Sequence, residues 1–519
     1  MKYLTLTALA VLAHTGFVSA NNIQVANVAI SDQDSVTKTA NIGFDLSWEN
    51  SWRLSTGPAN WDAAWVFVKF HNGDNNWRHA KLAVSAAAHS VPAGATLSTG
   101  LTDGVAVGAF VHRSGNGSGN VAWSGVKMKW NYGADGVLDS AIVSVDVQAI
   151  EMVYVPQGAF YLGDGSVSTF FSAGNSRTTP YQITSAAALP IGNTAAEISN
   201  SNTGESNSIY PALLPNGYDG FYCMKYEVSQ GQFVRFANMQ SSFSPESYEI
   251  MAPNEAKSRQ RFNGSRPDFT TTTPDRAYSS GNQDDAISAY LAWTGLRPLS
   301  QFEAEKAARG PVYPVAGEFS WGTAVVASLP YSLTADGTPS EAVSTNYNIN
   351  AGNAWTATTC NFVANFSSVF SGTTSNSAIG VGPCRVGMFA RSAYTGTTSA
   401  RIQAGASYWG IMDLTGGVAE PVLLASQANL TGETPASVAG SPDYVVIGNQ
   451  VFSYFRYNFR GSHGNGSLTK PQDWGYTSGD SLRFAGGNFE SSPWSVSSDL
   501  LHPGTIGYRL GIRGVRSAP

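Results

Sequence analysis

Arg297-Pro298-Leu299-Ser300-Gln301-Phe302-Glu303-Ala304-Glu305-Lys306-Ala307-Ala308-Arg309-Gly310 is the stretch on which the reading of this 519-residue chain turns. Ser300 followed three residues later by Glu303 is a capping box, in which each side chain satisfies a backbone N–H left free at a helix start. Lys306 and Arg309 then place cations at the negative end of the helix dipole, and Gly310 closes the helix.

Similar signals recur sparsely to the N-terminal side. Ser229 with Gln232 makes a second capping box, followed by Phe233, Phe236 and Ala237 on one face. Asp284 or Asp285 caps a further expected helix carrying Ile287, Tyr290 and Leu291. From Glu151 onward these helices are separated by long Gly/Ser/Thr/Asn-rich connections, a texture uncommon in packed domains unless the loops are functional or covered.

Before Glu151 the period changes to two, which puts alternate side chains on opposite faces of a strand. Ile42, Phe44, Leu46 and Trp48 alternate with polar or small residues, as do Val126, Met128, Trp130 and Tyr132, and Val143, Val145 and Val147. Trp65 to Phe70 and Val105 to Val111 add further apolar runs, with turns such as His71-Asn72-Gly73-Asp74 between them. The rhythm predicts an all-β, immunoglobulin-like sandwich over residues 21–149, with a second domain over 150–519. The aromatic residues of Trp61 to Phe70 are accounted for by alternating core packing in that sandwich.

Ahead of it, residues 1–20 carry Lys2, an apolar run from Tyr3 to Leu12 and the small-residue ending Val18-Ser19-Ala20. That pattern reads as a cleaved bacterial-type secretory signal, and the expected destination is the exterior, the periplasm or the cell surface. No later run approaches the roughly 20 apolar residues of a spanning helix, so no transmembrane segment is expected. The net charge is -6, only 13% of residues are charged and no Lys/Arg block occurs, which argues against a nucleic-acid partner. Of the three cysteines, Cys360 and Cys384 can pair in an oxidising compartment, leaving Cys223 single.

Six segments in order carry a family resemblance. Met152-Val153-Tyr154-Val155-Pro156-Gln157-Gly158-Ala159-Phe160-Tyr161-Leu162-Gly163 and Phe221-Tyr222-Cys223-Met224-Lys225-Tyr226-Glu227-Val228-Ser229 resemble the opening segment and the first strand-to-helix segment of formylglycine-generating enzymes, the sulfatase-modifying factor family. The stretch from Arg297 to Gly310 with Trp321-Gly322, the stretch from Tyr408 to Glu420, Gly486-Gly487-Asn488-Phe489 and Gly507-Tyr508-Arg509 continue the likeness. The resemblance implies an α+β, C-type-lectin-related fold rich in irregular loops, which accounts for the texture after Glu151.

Family chemistry rests on two cysteines beyond the "R-G-G-S" motif whose thiolates hold copper, a metal that soft sulfur ligands suit. Aligning that motif on Gly486-Gly487 puts Ser491 and Val496 at those positions, and no cysteine follows Cys384. Copper and the family oxidation are therefore not expected, and the resemblance implies a pseudoenzyme. The family's calcium stretch keeps Glu420 but has Gly417, Ala419 and Pro421 in place of an Asn and two Trp residues; Glu420 and Asn346 are the candidate calcium ligands. A related branch holds iron with three histidines, whereas only His463 and His502 fall in this domain.

The remaining features divide into sites and structure. Gly461 to Gly466 is Gly-rich but lacks a following Lys-Ser/Thr, which makes a weak phosphate loop. Glu303 and Glu305 read better as a cap and an exposed helix face than as a catalytic acid pair. In lectin-like relatives the segment ahead of the "G-F-R" motif is the ligand-contact surface. Here it supplies Asn488, Glu490, Ser491, Ser492, Trp494, Ser495, Ser497 and Asp499, an aromatic among small polar groups. The same stretch also reads as a loop in which Trp494 plugs the core, and both readings stay open. The expected function is a secreted, non-catalytic binding or surface-assembly protein whose partner is a cell-surface protein, a glycan or itself. The alternatives are a formylglycine-generating-type oxidoreductase with an altered site and a structural subunit of an extracellular appendage or secretion apparatus.

Overall fold

A computed structural model describes residues 22–74, 76–166, 169–200, 208–240, 262–263, 268–279, 284–324, 333–335, 338, 340–343, 383–390, 399–423, 426–429, 434, 436–437, 444–447, 450–455, 459–474, 482–487, 496 and 510–519. The expected signal at 1–20 lies outside them.

The period-two segments form strands. β1 (Gln24–Asp34), β2 (Thr39–Arg53) and β7 (Gly117–Trp130) make one antiparallel sheet in the order β1-β2-β7. β3 (Asp62–His71), the short β4 (Arg78–His79), β5 (Ala95–Thr102), β6 (Val105–Arg113) and β8 (Ser144–Val155) belong to a second. Between the sheets lie Ile42, Phe44, Leu46 and Trp48 of β2, Val66, Val68 and Phe70 of β3, and Val126, Met128 and Trp130 of β7. Burying one such side chain stabilises by roughly 1.5–3 kcal/mol. Leu82 bridges Ala106 and Trp130, joining the two sheets at one corner.

β3 departs from simple alternation, because every one of its residues except His71 is buried. Ala64, Val66, Val68 and Phe70 face the inter-sheet core, while Ala63, Trp65 and Phe67 join the core that contains the helices. A strand covered on both faces reads as a continuous apolar run, as this one does. The second sheet continues past β8 into the strands Phe221–Met224 and Val515–Ser517. β8 itself crosses the expected division after residue 149: Val145 and Val147 sit between the sheets, and Ile150, Met152, Val153 and Val155 pack with later segments.

The expected helices are present. α1 (Gln230–Asn238) starts at Ser229 and α3 (Gln301–Arg309) at Ser300, each with its capping box formed. α2 spans Asp284–Thr294. Phe233 of α1 stacks on Tyr278 at 3.8 Å, and Phe236 meets Trp293 of α2 edge-on at 5.2 Å. The strand Leu299–Ser300 pairs parallel with Glu420–Leu423, which pairs antiparallel with Leu482–Ala485. The described fold is mostly β with few helices.

The end of α2 is capped from outside the helix. Trp65 Nε1 donates to Thr294 O at 2.8 Å, Lys69 Nζ to Trp293 O at 2.7 Å, and Arg516 to Gly295 O. These satisfy carbonyls that the helix leaves free. Gly108 makes the approach possible, since a Cβ there would lie 2.6 Å from the Trp65 ring.

Candidate functional site

The expected ligand segment is anchored at one described point. Asn488, Glu490, Ser491, Ser492, Trp494, Ser495, Ser497 and Asp499 lie outside the described residues, but Val496 N donates to Glu318 O at 2.8 Å. Glu318 N in turn bonds Val315 O at 3.0 Å, and the turn before it exposes Val312, Tyr313 and Val315 (48%, 60% and 48%). The Glu318 carboxylate is bonded by Arg309, which also pairs with Glu305 at 3.0 Å. Val496 is thus fixed beside the C-terminal end of α3, next to an exposed apolar loop.

Glu303 is the expected cap, whereas Glu305 is not on an exposed face. Glu303 forms the capping box and takes both terminal nitrogens of Arg297 at 2.7 and 2.6 Å. Glu305 is buried rather than on an exposed face: it pairs with Arg309 and accepts Gly163 N at 2.8 Å. A burial set by contacts from residues 161–163 leaves no mark on the local helix pattern.

The second candidate centre gathers around Glu420. Its Oε1 accepts Arg513 Nε at 2.8 Å, and its Oε2 is buried with no hydrogen-bond partner. Arg513 also donates to Met224 O at 2.9 Å and Met412 O at 3.0 Å. Nearby, Glu227 accepts Val418 N at 2.9 Å and Asp413 accepts Gly387 N at 2.6 Å. Burial pushes the Glu420 carboxyl up to about 7 despite Arg513. Burial, with Glu420 and Asp413 beside it, holds Glu227 well above the usual carboxylate range. Three carboxyl groups therefore gather around the Arg513 guanidinium, with Arg385 acting on Asp413 as well, in a low-dielectric interior where a missing countercharge is costly.

That arrangement bears on calcium. Glu420 Oε2 is a buried oxygen with no hydrogen-bond partner, the kind of ligand a hard cation takes. Asn346 lies outside the described residues, and among those described no group of three or more His, Cys, Asp or Glu is set to hold a metal by itself. Sequence reading missed Arg513. Gly507-Tyr508-Arg509, which resembles the family's closing motif, lies outside the described residues; the arginine buried against Glu420 belongs to Gly511-Ile512-Arg513, which repeats the same Gly-x-Arg spacing.

The thiols are accounted for separately. Cys223 is free and buried, and burial pushes its thiol up to about 12, far from a reactive thiolate. Cys384 is disulfide-bonded, and Cys360 lies outside the described residues. His463 Nε2 accepts Ser517 N at 3.0 Å, which occupies that nitrogen; His502 lies outside the described residues. No helix among the described residues is long and apolar enough to cross a membrane.

Among known proteins, the family described as the sulfatase-modifying factor enzyme 1-like domain matches residues 141–475, more than half of the chain. No curated protein and no solved structure matches it.

Proposed function

Because this chain belongs to the sulfatase-modifying factor enzyme 1-like family, we propose that it uses the family scaffold for binding rather than for cysteine oxidation. The observation that carries this is the thiol inventory. No cysteine follows Cys384, Cys384 is disulfide-bonded and Cys223 is a buried neutral thiol, so a pair of thiolates for copper is not in the chain. In this reading the chain is exported through residues 1–20, and residues 21–149 act as an immunoglobulin-like spacer or docking module. The recognition face is the 488–499 segment, with Trp494 as its aromatic contact and the exposed Val312, Tyr313 and Val315 beside the Val496 anchor. Glu420 and Asn346 would hold a structural calcium ion. Its removal by a chelator then lowers the unfolding midpoint, and excess calcium restores it.

The test is a glycan and surface-protein array probed with the mature protein from Asn21, with Trp494→Ala beside it. Binding by the parent that the variant loses by about tenfold or more, on the scale of an aromatic hot spot, supports the face. No binding by either form removes that site and favours self-assembly.

A further inference from the structure

The Gly461–Gly466 loop lies between the end of α2 and the N-terminal sheets, with Gly464 and Gly466 buried. Gly464 N bonds Leu296 O at 2.9 Å and Gly466 N bonds Ala292 O at 3.0 Å, pinning the loop to the end of α2. From the other side Thr102 Oγ1 donates to Gly464 O at 3.0 Å and Lys69 Nζ to Gly466 O at 2.8 Å. The loop is a wedge between α2 and the sheet of β3, β5 and β6.

Two histidines close the wedge, and each has one ring nitrogen that carries no proton in the closed state: the unpartnered Nδ1 of His79 and the accepting Nε2 of His463. His79 of β4 bonds Val107 O through Nε2; a carbonyl only accepts, so Nε2 holds the hydrogen and Nδ1 is bare. Nδ1 is shut off from solvent and has no partner. The ring lies against Gly466, at φ +88, where a Cβ would be 2.0 Å from the imidazole. His463, inside the loop, uses Nε2 to accept Ser517 N at 3.0 Å. Protonating His79 would create an N–H with no acceptor, and protonating His463 would set two donors against each other.

We propose that His79 and His463 form an acid-sensitive clasp on the Gly461–Gly466 loop, closed when both imidazoles are neutral and opened by their protonation, which frees the end of α2 from the N-terminal sheets.

The charged groups facing the rings all oppose protonation. Lys69 of β3 and Arg516 of the strand Val515–Ser517 act on His79, and Arg516 and Arg297 act on His463. Arg297 is itself paired with Glu303, and Asp146 of β8 offsets Lys69 in part. Burial first, then these cations, hold both imidazoles well below the ordinary 6.5. The neutral form therefore folds better: the contribution is present in full above about pH 6.5 and is lost as pH falls below that value. A clasp of this kind would let an exported chain hold its N-terminal layer closed at neutral pH and loosen it in an acidified setting.

Hydrogen exchange at the Gly464 and Gly466 amides, corrected for the intrinsic rate, reads the clasp locally. Between about pH 7.5 and about pH 5 protection of these amides should fall by up to about 30-fold per histidine, while amides of the β2–β7 pairing change far less. The double variant His79→Gln, His463→Gln keeps a donor for Val107 and an acceptor for Ser517 but cannot be protonated, and should abolish the fall. His89 and His112, buried elsewhere in the N-terminal sheets, are untouched by it and set the background. Unchanged protection across that range, or a double variant with the parent's slope, overturns the proposal. If the variant does not fold, NMR titration of the two imidazoles in the parent decides: midpoints near 6.5 overturn it, and midpoints well below support it.

Discussion

Two buried ion networks in the family domain balance their charge differently. Around α3, Glu303 is bonded directly to Arg297, and Glu305 and Glu318 are both bonded directly to Arg309. Around Arg513, Glu420 is bonded to the guanidinium, whereas Glu227 and Asp413 are held by backbone N–H groups and feel it at a distance. The first network staples a helix, since each carboxylate has a hydrogen-bonded cation. The second leaves one carboxylate oxygen bare and raises the proton affinity of its members, the condition in which a proton or a metal ion is drawn in.

The largest expected effect separates them by charge. Arg513→Met should cost about 3–5 kcal/mol in denaturant unfolding, because it strands buried carboxylates. Adding Glu420→Gln should recover only part of this, since Glu227 and Asp413 remain. Full recovery would reduce the centre to a simple pair like Arg297 with Glu303. A smaller effect is the pH dependence of Glu420. Its folded carboxyl titrates at about 7 against an ordinary 4.5, so its protonated form favours the fold, and this contribution is lost as pH rises from about 4.5 through about 7. Glu420→Gln should flatten the stability profile over that window; a profile unchanged by the substitution would place the titration elsewhere. The smallest effect belongs to the α3 side. Ser300→Ala removes the cap and should cost about 1 kcal/mol while leaving the pH profile of the Arg513 centre where it was.

The two networks also differ in how far they could be read from the chain. Ser300, Glu303, Lys306 and Arg309 lie within one short stretch, so the helix, its cap and its ends follow from spacing alone. Glu305 escaped because its burial comes from the loop carrying Gly163, 142 residues away. Arg513 meets Glu420 across 93 residues, and nothing in the residues around either one announces the other. The reading of residues 488–499 as a ligand surface comes from resemblance alone, and among them only Val496 is described, bonded to Glu318 O.

Local physics, written in neighbouring residues, determined the strands of β2 and β7, the capped helices and the family motifs in their order. Tertiary structure decided what those elements face. β3 reads as one apolar run, but only the fold shows that Lys69 on it reaches the carbonyls of Trp293 and Gly466, and that β8 carries one sheet across the expected domain division. The physical reason is that backbone propensity and capping act over a few residues, whereas burial, countercharge and the proton affinity of a carboxyl or an imidazole depend on groups that meet only when distant parts of the chain close the same interior.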